Sequence, residues 1–358
     1  QIITNNTIHA NNRSGVLLVR NFINSTIKGN IIDMNQEHGI LYDDRHFENN
    51  TIIGNTIREN GQHGIALTHR LSPDLKRSSI EQNIIESNNM NGIFLSGFKN
   101  IVMRNNTINM NQEHGIQIVR SNNNSMLHNT VKSNKEAGMF VQASVNNTLL
   151  RNAVFNNTRY GILSTPRFNA MSKQNNISLN NITKNRFGIY LNRTNNTIIH
   201  GNNVSNNSKE GIFLNHSHHN TVLENELYNN SRFGIRLALS HQNEIINNTA
   251  NFHYIGINVG LDPALFDLSS DNNTIEGNIM INNSLDGLAV DGDFNNISFN
   301  VACLNDNLDV AVKGEQNQGV NNTCNKAGIW NDTGKKGCTF SCSPPIILIH
   351  GIYSHDQM

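Results

Sequence analysis

The chain has 358 residues with 27 basic and 27 acidic side chains, so its formal net charge is zero. Without a basic excess it lacks the electrostatic footprint of a nucleic-acid-binding protein, and no apolar run approaches the roughly 18 residues of a transmembrane helix. Asparagine makes up about a fifth of the chain. Such a composition can indicate disorder, but the apolar residues recur in a fixed register, which a disordered chain does not require.

A repeat of about 23 residues accounts for most of the sequence. Its clearest copy, residues 195–220, has a lead asparagine at Asn202, apolar residues three before it and two after it, and the pattern Gly-Ile-x-Leu from Gly211. The glycine is replaced only in the last copy, by Asp309. The same register fits thirteen units with the lead asparagines Asn6, Asn30, Asn55, Asn83, Asn106, Asn129, Asn152, Asn180, Asn202, Asn225, Asn248, Asn278 and Asn300.

The period and the residue types of this repeat predict a β-solenoid. A turn of about 23 residues suits three short strands and is too short for helix-pair repeats or propeller blades. Apolar and polar residues alternate at period two, without a helical period. We expect glycine and asparagine at the corners because of their backbone freedom, and buried asparagine amides paired from coil to coil as a ladder.

The motif NTIxxNxIxxNxxxGIxL, in residues 196–214 and 220–237, resembles the right-handed parallel β-helix repeat family with the pectin-lyase-like fold. Within that family it is similar to the NosD-like and the carbohydrate-binding and sugar-hydrolysis repeat domains of periplasmic and surface proteins. The resemblance covers residues 1–312 and implies an all-β, right-handed, single-stranded parallel β-helix of about 13 coils. Lyases, hydrolases, epimerases and non-catalytic binding modules share this fold, so function must be argued from sites.

Extra residues interrupt the period after the Gly-Ile-x-Leu strand of units 2, 3, 7 and 11. All leave the same corner of the coil, and insertions on one face commonly build a binding surface in repeat proteins. The interrupted segments are residues 42–50, 68–79, 164–174 and 260–271. They span nine coil rises, roughly 43 Å, which is long enough for an oligosaccharide.

The outward position two residues after each glycine is mostly apolar. It is occupied by Leu17, Leu41, Phe94, Phe140, Leu163, Tyr190 and Phe213. Stacked exposed aromatic rings bind the apolar faces of sugars, and they equally pack under loops or between copies of the chain. Both interpretations stay open, so oligomerisation through this column is an alternative to glycan binding. The substrate-binding candidates are Phe94, Phe140, Tyr190 and Phe213 with the loop arginines Arg45, Arg70 and Arg167.

A catalytic site would need carboxylates, or a carboxylate with a basic group, projecting from neighbouring coils. The best set lies on the loops after units 2 and 3. It provides the catalytic candidates Asp43, Asp44, His46, His69 and Asp74. Charged residues gathered on a loop are more often simply solvated. We therefore favour a non-catalytic module, with a polysaccharide lyase or glycoside hydrolase as the alternative.

Two patterns raise the question of metals. Asp291 and Asp293 are expected to be turn residues, with calcium as a candidate ligand and no other cofactor expected. A NosD-like metal-handling protein, the second alternative, would need a methionine or histidine cluster, and only the histidines at 216, 218 and 219 bunch together. We interpret them as a solvated corner. The histidines of two EHG segments, His38 and His114, are attributed to chance repetition.

All four cysteines, Cys303, Cys324, Cys338 and Cys342, follow residue 302, where the repeat fades. An even count at a repeat end predicts disulfides in a terminal cap, with three connectivities open. A four-cysteine zinc site is the rival interpretation, although no CxxC pair is present. Disulfides indicate an extracytoplasmic location. More than a dozen Asn-x-Ser/Thr sequons agree with export but also follow from the repeat itself.

The chain is therefore expected to comprise repeats over 1–312, a disulfide-stapled cap over 313–343 and the start of another domain over 344–358. That last segment contains IILIHGIY, a buried-strand pattern followed by His-Gly, and resembles the beginning of an α/β-hydrolase domain. Because the chain starts inside a unit, at Gln1, we expect a fragment. The sequence predicts an exported or cell-surface module that binds a glycan for adhesion, or that carries an appended hydrolase.

Overall fold

The chain winds into thirteen coils of three short strands each in the computed structural model, which describes residues 1–19, 22–43, 47–68, 77–260 and 269–343. Equivalent strands of successive coils pair in parallel, so the three strand positions form three thirteen-stranded sheets. The described residues include no helix, and therefore none long and apolar enough to cross a membrane. The predicted all-β parallel solenoid is confirmed.

The three sheets follow one another around each coil, which we number 1–13 by its lead asparagine. The first sheet contains Ile2–Thr4, Thr26–Lys28, Thr51–Ile53, Ser78–Glu81, Ile101–Arg104, Ser125–Leu127, Thr148–Leu150, Asn176–Ser178, Ile198–His200, Thr221–Leu223, Glu244–Ile246, Thr274–Glu276 and Asn296–Ser298. The second contains Thr7–His9, Ile31–Asp33, Thr56–Arg58, Ile84–Glu86, Thr107–Asn109, Thr130–Lys132, Ala153–Phe155, Asn181–Thr183, Asn203–Ser205, Glu226–Tyr228, Thr249–Asn251, Ile279–Ile281 and Val301–Cys303.

The third sheet carries the Gly-Ile-x-Leu segments. It contains Val16–Leu18, Ile40–Asp43, Ile65–Thr68, Ile93–Ser96, Ile116–Val119, Ala137–Gln142, Tyr160–Thr165, Phe187–Asn192, Ile212–Asn215, Phe233–Ala238, Ile255–Val259, Asp286–Val290 and Val310–Val312. Two small parallel pairs lie at the corner after it. They join Phe22–Ile23 to Phe47–Glu48 and Ser172–Lys173 to Thr194–Asn195.

The core is a set of stacked apolar columns, one from each of the first two sheets and two from the third. In coil 3 these are Ile52, Ile57, Ile65 and Leu67, all fully buried. Each pairs in register with its equivalents above and below, as Ile52 does with Ile27 and Ile80. A single coil would leave these side chains open on both sides, so the core exists only between neighbouring coils.

The lead asparagines form the predicted ladder. In coil 7, Asn152 accepts the backbone N–H of Asn129 at 2.9 Å and its side-chain amide at 3.0 Å. The amide of Asn152 in turn donates to Oδ1 of Asn180 and to the carbonyl of Met126, both at 2.9 Å. A second ladder runs five residues further on in each coil, for example from Asn157 to Asn185. Both ladders satisfy buried backbone groups at the corners.

The repeat glycines are required by close packing. None of the twelve has a positive φ, so the expectation that they supply a special corner conformation is wrong. A Cβ on Gly115 would instead collide with Val131 Cγ1 and lie 2.7 Å from the carbonyl oxygen of Gly138. The left-handed corner positions are held mostly by other residues, such as Asn105 and Met110 with φ of 55° and 53°.

The C-terminal cap closes the ladders and the core. Disulfides join Cys303 to Cys342 and Cys324 to Cys338, which resolves the open connectivity and shows that the zinc alternative was wrong. Asp332 ends the lead ladder by accepting the Asn322 backbone N–H at 3.0 Å. The hydrolase-like segment 344–358 lies outside the described residues, so that resemblance stays a prediction.

Candidate functional site

Four aromatic rings form a continuous stack on the outer face of the third sheet in coils 7–9. We call Tyr160, Phe187, Tyr190 and Phe213 the aromatic strip. Ring centroids are 5.3 Å apart for Tyr160 and Phe187, 5.5 Å for Tyr160 and Tyr190, and 4.8 Å for Tyr190 and Phe213, with the planes within 21° of parallel. Each ring is partly exposed. Because near-parallel rings this close cover one another's faces, the strip presents a row of partly exposed ring edges across coils 7–9.

The strip arises because two positions of the repeat face outward side by side. Tyr190 and Phe213 occupy the position two residues after the repeat glycine, and the strands pair them directly. Tyr160 and Phe187 occupy the position just before the glycine. The sequence identified the first column as a candidate surface and missed the second, although the repeated triplets YGI and FGI carry the signal.

The other two predicted sugar-contact rings lie on the same face in earlier coils. Phe94 stacks on His63 at 4.8 Å, and Phe140 contacts His114 at the same centroid distance. Gln117 lies between the two phenylalanines in the outward column. The aromatic surface there consists of separate ring pairs and is therefore less continuous than the strip.

A buried ion pair lies at the end of the strip. The guanidinium of Arg236 donates to Glu210 at 3.2 Å, and their side chains are 6% and 1% exposed. Arg236 follows Phe213 in the outward column, and its guanidinium lies 4.8 Å from the centre of that ring. Arg236 thus packs against the last ring of the strip from the next coil. In the sequence, the unusual segments KEGI, which contains Glu210, and GIRL, which contains Arg236, were the available signal for this ion pair.

The EHG histidines have a structural explanation that replaces chance repetition. Nδ1 of His38 accepts the backbone N–H of His63 at 3.3 Å, and Nδ1 of His114 accepts that of Ala137 at 3.1 Å. His63 likewise accepts the backbone N–H of Asn91 at 3.1 Å. Burial lowers the pKa of His63 to about 3 and of His114 to about 4. These rings are neutral coil-to-coil acceptors at neutral pH.

Of the five catalytic candidates the structure describes Asp43 alone. Its side chain is exposed at the end of the strand Ile40–Asp43 and accepts a 2.7 Å hydrogen bond from the Thr68 hydroxyl. The other four, Asp44, His46, His69 and Asp74, lie outside the described residues. The catalytic set therefore stays a prediction.

Of the three candidate arginines the structure describes Arg167. It lies in a tight turn in which the backbone N–H of Arg167 and that of Ala170 each bond the other residue's carbonyl, at 3.0 and 3.1 Å. Its guanidinium lies 5.8 Å from the ring of Phe168, which is 83% exposed. Arg45 and Arg70 lie outside the described residues, so their sugar-binding roles stay predictions.

His218, the middle one of the bunched histidines, belongs to a further corner ladder. Nδ1 of His218 accepts the backbone N–H of His241 at 3.1 Å, and Nδ1 of His241 accepts that of Asp271 at 3.0 Å. No group of three or more histidine, cysteine, aspartate or glutamate side chains is placed to hold a metal within the described ranges. Metal handling of the NosD kind stays a prediction.

The aspartates proposed for calcium lie near the same ladder. Asp293 donates its backbone N–H to Asp271 at 2.9 Å, and its own carboxylate accepts the backbone N–H of Glu315 at 2.7 Å. Asp293 is therefore a turn residue, as expected. Calcium binding by Asp291 and Asp293 stays a prediction.

Comparison with protein families agrees with this architecture. Residues 1–80 and 70–177 match the family described as right handed beta helix region, and residues 167–259 match the family described as periplasmic copper-binding protein (NosD). The chain belongs to the right-handed parallel β-helix repeat family. No curated protein sequence matches this β-helix chain at a significant level.

Among solved structures, this β-helix is similar to two mannuronan C-5 epimerase A-modules from Azotobacter vinelandii. The AlgE4 module is 17% identical with a TM-score of 0.59, over 75% of this chain and 80% of that one. The AlgE6 module is 17% identical with a TM-score of 0.57, over 84% and 80%. PfbA, a surface adhesin of Streptococcus pneumoniae, is 14% identical with a TM-score of 0.53, over 76% and 82%. These identities show a shared fold alone.

Proposed function

We propose that this chain is an exported β-helix module that binds a linear polysaccharide along the aromatic strip, without cleaving it. The observation that carries the proposal is the uninterrupted, partly exposed stack of Tyr160, Phe187, Tyr190 and Phe213. Sugar rings present apolar C–H faces, which can bury apolar area against the row of ring edges that the strip exposes. Module and polysaccharide would then run side by side over several coils.

The dimensions of the strip favour a chain ligand. The four rings cover three coils, and rings of successive coils are offset along the solenoid by about 4.8 Å, the spacing of neighbouring strands. That rise is close to the length that one pyranose ring adds to an extended polysaccharide. The Asn215 amide donates to the Tyr190 hydroxyl at 3.1 Å, which fixes that ring and leaves the phenol proton available to a sugar hydroxyl.

Several observations support export and a glycan partner. Two disulfides in the cap are typical of an oxidising compartment. The NosD family that matches residues 167–259 is described as periplasmic. The similar structures comprise epimerases named for a polysaccharide and a surface adhesin. We propose an adhesive module or a scaffold for an appended hydrolase.

The alternative is a polysaccharide lyase or glycoside hydrolase. Around the strip, Glu210 is 1% exposed and paired with Arg236, so this carboxylate is not available as an acid or base. Catalysis would have to use the loops after coils 2 and 3. Turnover that disappears in Asp43→Ala or Asp44→Ala would establish this alternative.

A glycan array followed by titration calorimetry tests the binding proposal. Tyr190→Ala and Phe213→Ala should each weaken binding of the selected polysaccharide about tenfold, which is about 1.4 kcal/mol. Tyr228→Ala is the matched control, because Tyr228 is 50% exposed and its ring contacts that of Phe252 at a centroid distance of 4.9 Å, but it lies on the second sheet. Equal losses in all three variants, or none, would contradict the assignment of the strip.

A further inference from the structure

A row of basic side chains runs beside the aromatic strip. Arg159, Arg186, Lys209 and Arg232 occupy the position two residues before the glycine slot in coils 7–10. Backbone hydrogen bonds between successive coils align these positions along the solenoid. The backbone N–H of Phe187 donates to the carbonyl of Arg159 at 2.8 Å, and that of Arg232 donates to the carbonyl of Lys209 at 3.3 Å. We call these four residues the basic row. It offers one cation per coil.

The arginines of the row are oriented by the rings beside them. The guanidinium carbon lies 5.9 Å from the ring centre of Tyr160 for Arg159, and 5.6 Å from that of Phe187 for Arg186. Arg232 makes the same contact with Phe233 at 4.9 Å. A guanidinium stacked on an aromatic ring keeps its N–H groups free to bind an anion and loses less side-chain freedom on binding.

Part of the row has no protein counter-charge among the described residues. Arg159 pairs with Glu136 at 2.9 Å, and Arg232 lies 3.5 Å from Glu210. No carboxylate of the described ranges lies within 4.0 Å of the charged groups of Arg186 or Lys209. Arg186 lies 5.6 Å from the centre of the Phe187 ring, and Lys209 occupies the equivalent position in the next coil, beside the part of the strip that would hold sugar rings.

We propose that the ligand of the strip is a linear polyanion, a polysaccharide that carries an acidic group on each successive sugar. This inference rests on the proposed function and specifies its substrate class. The exposed ring edges contact the sugars while the basic row binds the carboxylates or sulfates, because one coil rise of about 4.8 Å matches one sugar of an extended chain. Neutral polysaccharides leave Arg186 and Lys209 unpaired.

The residues at the same position in the neighbouring coils set the length of the site. In coils 5 and 6, the position two residues before the glycine is occupied by Glu113 and Glu136. Burial and the charge of Glu136 raise the pKa of Glu113. An anionic chain extended past coil 7 would meet these like charges. In coil 11 the position is Tyr254, which carries no charge at neutral pH. The basic row therefore limits the site to coils 7–10, about four sugars, with Arg186 and Lys209 in the middle to bind the acidic groups and Arg159 and Arg232, already paired with carboxylates, at its two ends.

Titration calorimetry with size-graded uronate oligosaccharides tests the substrate class, with carboxyl-reduced oligosaccharides of the same lengths as neutral ligands. Affinity should rise to about four sugars, level off and fall as salt is added. Arg186→Gln with Lys209→Gln should weaken uronate binding at least tenfold and leave the neutral ligands unchanged. Lys28→Gln with Lys132→Gln, on the first and second sheets, is the control pair. Sulfated oligosaccharides show which acidic group is preferred.

The outcomes separate this inference from the proposed function. Equal binding of uronate and carboxyl-reduced ligands, with loss in Tyr190→Ala, would overturn the polyanion assignment and leave the polysaccharide module intact. No binding of any ligand would overturn both. Glu113→Gln with Glu136→Gln should lengthen the preferred oligosaccharide, and an unchanged length would refute the boundary. Thermal unfolding of every variant shows that the coils are intact.

Discussion

Nδ1 of His253 accepts the backbone N–H of Asn230 at 3.0 Å, and its Nε2 lies 3.3 Å from the carbonyl oxygen of Leu227. One coil earlier, Asn230 makes the equivalent bonds with its amide, accepting from the Asn207 backbone at 3.0 Å and donating to the Val204 carbonyl at 2.8 Å. The imidazole thus replaces an asparagine in the second ladder. It can accept at Nδ1 only while the ring is neutral.

This substitution should make the stability of the solenoid depend on pH. Burial lowers the pKa of His253 from 6.5 to about 4, so the unfolded chain takes up the proton first as pH falls. The stabilisation is complete above pH 6.5 and declines as pH falls towards 4, by on the order of 2–3 kcal/mol. His253→Asn should restore the amide ladder and reduce the pH dependence.

Thermal midpoints of both proteins across this pH range measure the difference. Some dependence should remain in the variant, because the pKa values of His63 and His114 are lowered as well. The interpretation fails if His253→Asn and the parent chain lose stability equally on acidification.

Interior ladder asparagines should contribute more to stability than the terminal one. Asn152 accepts two hydrogen bonds and donates two, all to buried groups. Asn152→Ala leaves those groups without partners and should lower the free energy of unfolding by roughly 2–4 kcal/mol. Asn6→Ala, at the exposed first coil, is the control and should cost less than about 1 kcal/mol. Urea unfolding measures both, and comparable losses would argue against the ladder as a main stabilising element.

The repeat glycines should not tolerate a methyl group. In Gly115→Ala the new Cβ would lie 2.7 Å from the Gly138 carbonyl and 2.9 Å from the Asn134 amide nitrogen. Shifting one coil against the next should cost at least about 1–3 kcal/mol. Gly54→Asn is the contrasting variant, since Gly54 has open space around its Cβ position and a φ of 65° that asparagine accepts. Similar unfolding midpoints for the two variants would contradict the close-packing explanation.

Removing Arg236 should destabilise coils 9 and 10, because the buried carboxylate of Glu210 would lose its 3.2 Å partner. We expect Arg236→Ala to lower the free energy of unfolding by about 3–5 kcal/mol. Adding Glu210→Gln should recover part of the loss, since it removes a buried charge that would retain only the 3.5 Å contact with Arg232. Arg232→Ala should have a smaller effect, because the Arg232 side chain is 35% exposed. Denaturant unfolding of the four chains checks the order, and a missing rescue would exclude the buried charge as the cause.

Several parts of the candidate site followed from the repeat register. Tyr190 and Phe213 lie where alternation along a strand puts them, on the outer face of the third sheet. The second half of the strip did not follow, because Tyr160 and Phe187 precede the repeat glycines and no alternation rule assigns their direction. The pairing of Glu210 with Arg236 spans 26 residues and becomes a contact only when coil 10 lies on coil 9.

The sequence by itself determined the parallel solenoid, its coils, the buried apolar columns and the lead asparagine ladder. It did so because a period of about 23 residues with period-two alternation leaves each coil an apolar face that only an equivalent coil can cover. The tertiary structure decided the rest, including the disulfide connectivity, the close packing around the glycines, the histidine replacement in a ladder and the aromatic strip beside its basic row. All of these features depend on which side chains meet when one coil lies about 4.8 Å above the next. The residues that meet in this way are more than twenty positions apart in the sequence, as Tyr190 and Phe213 are.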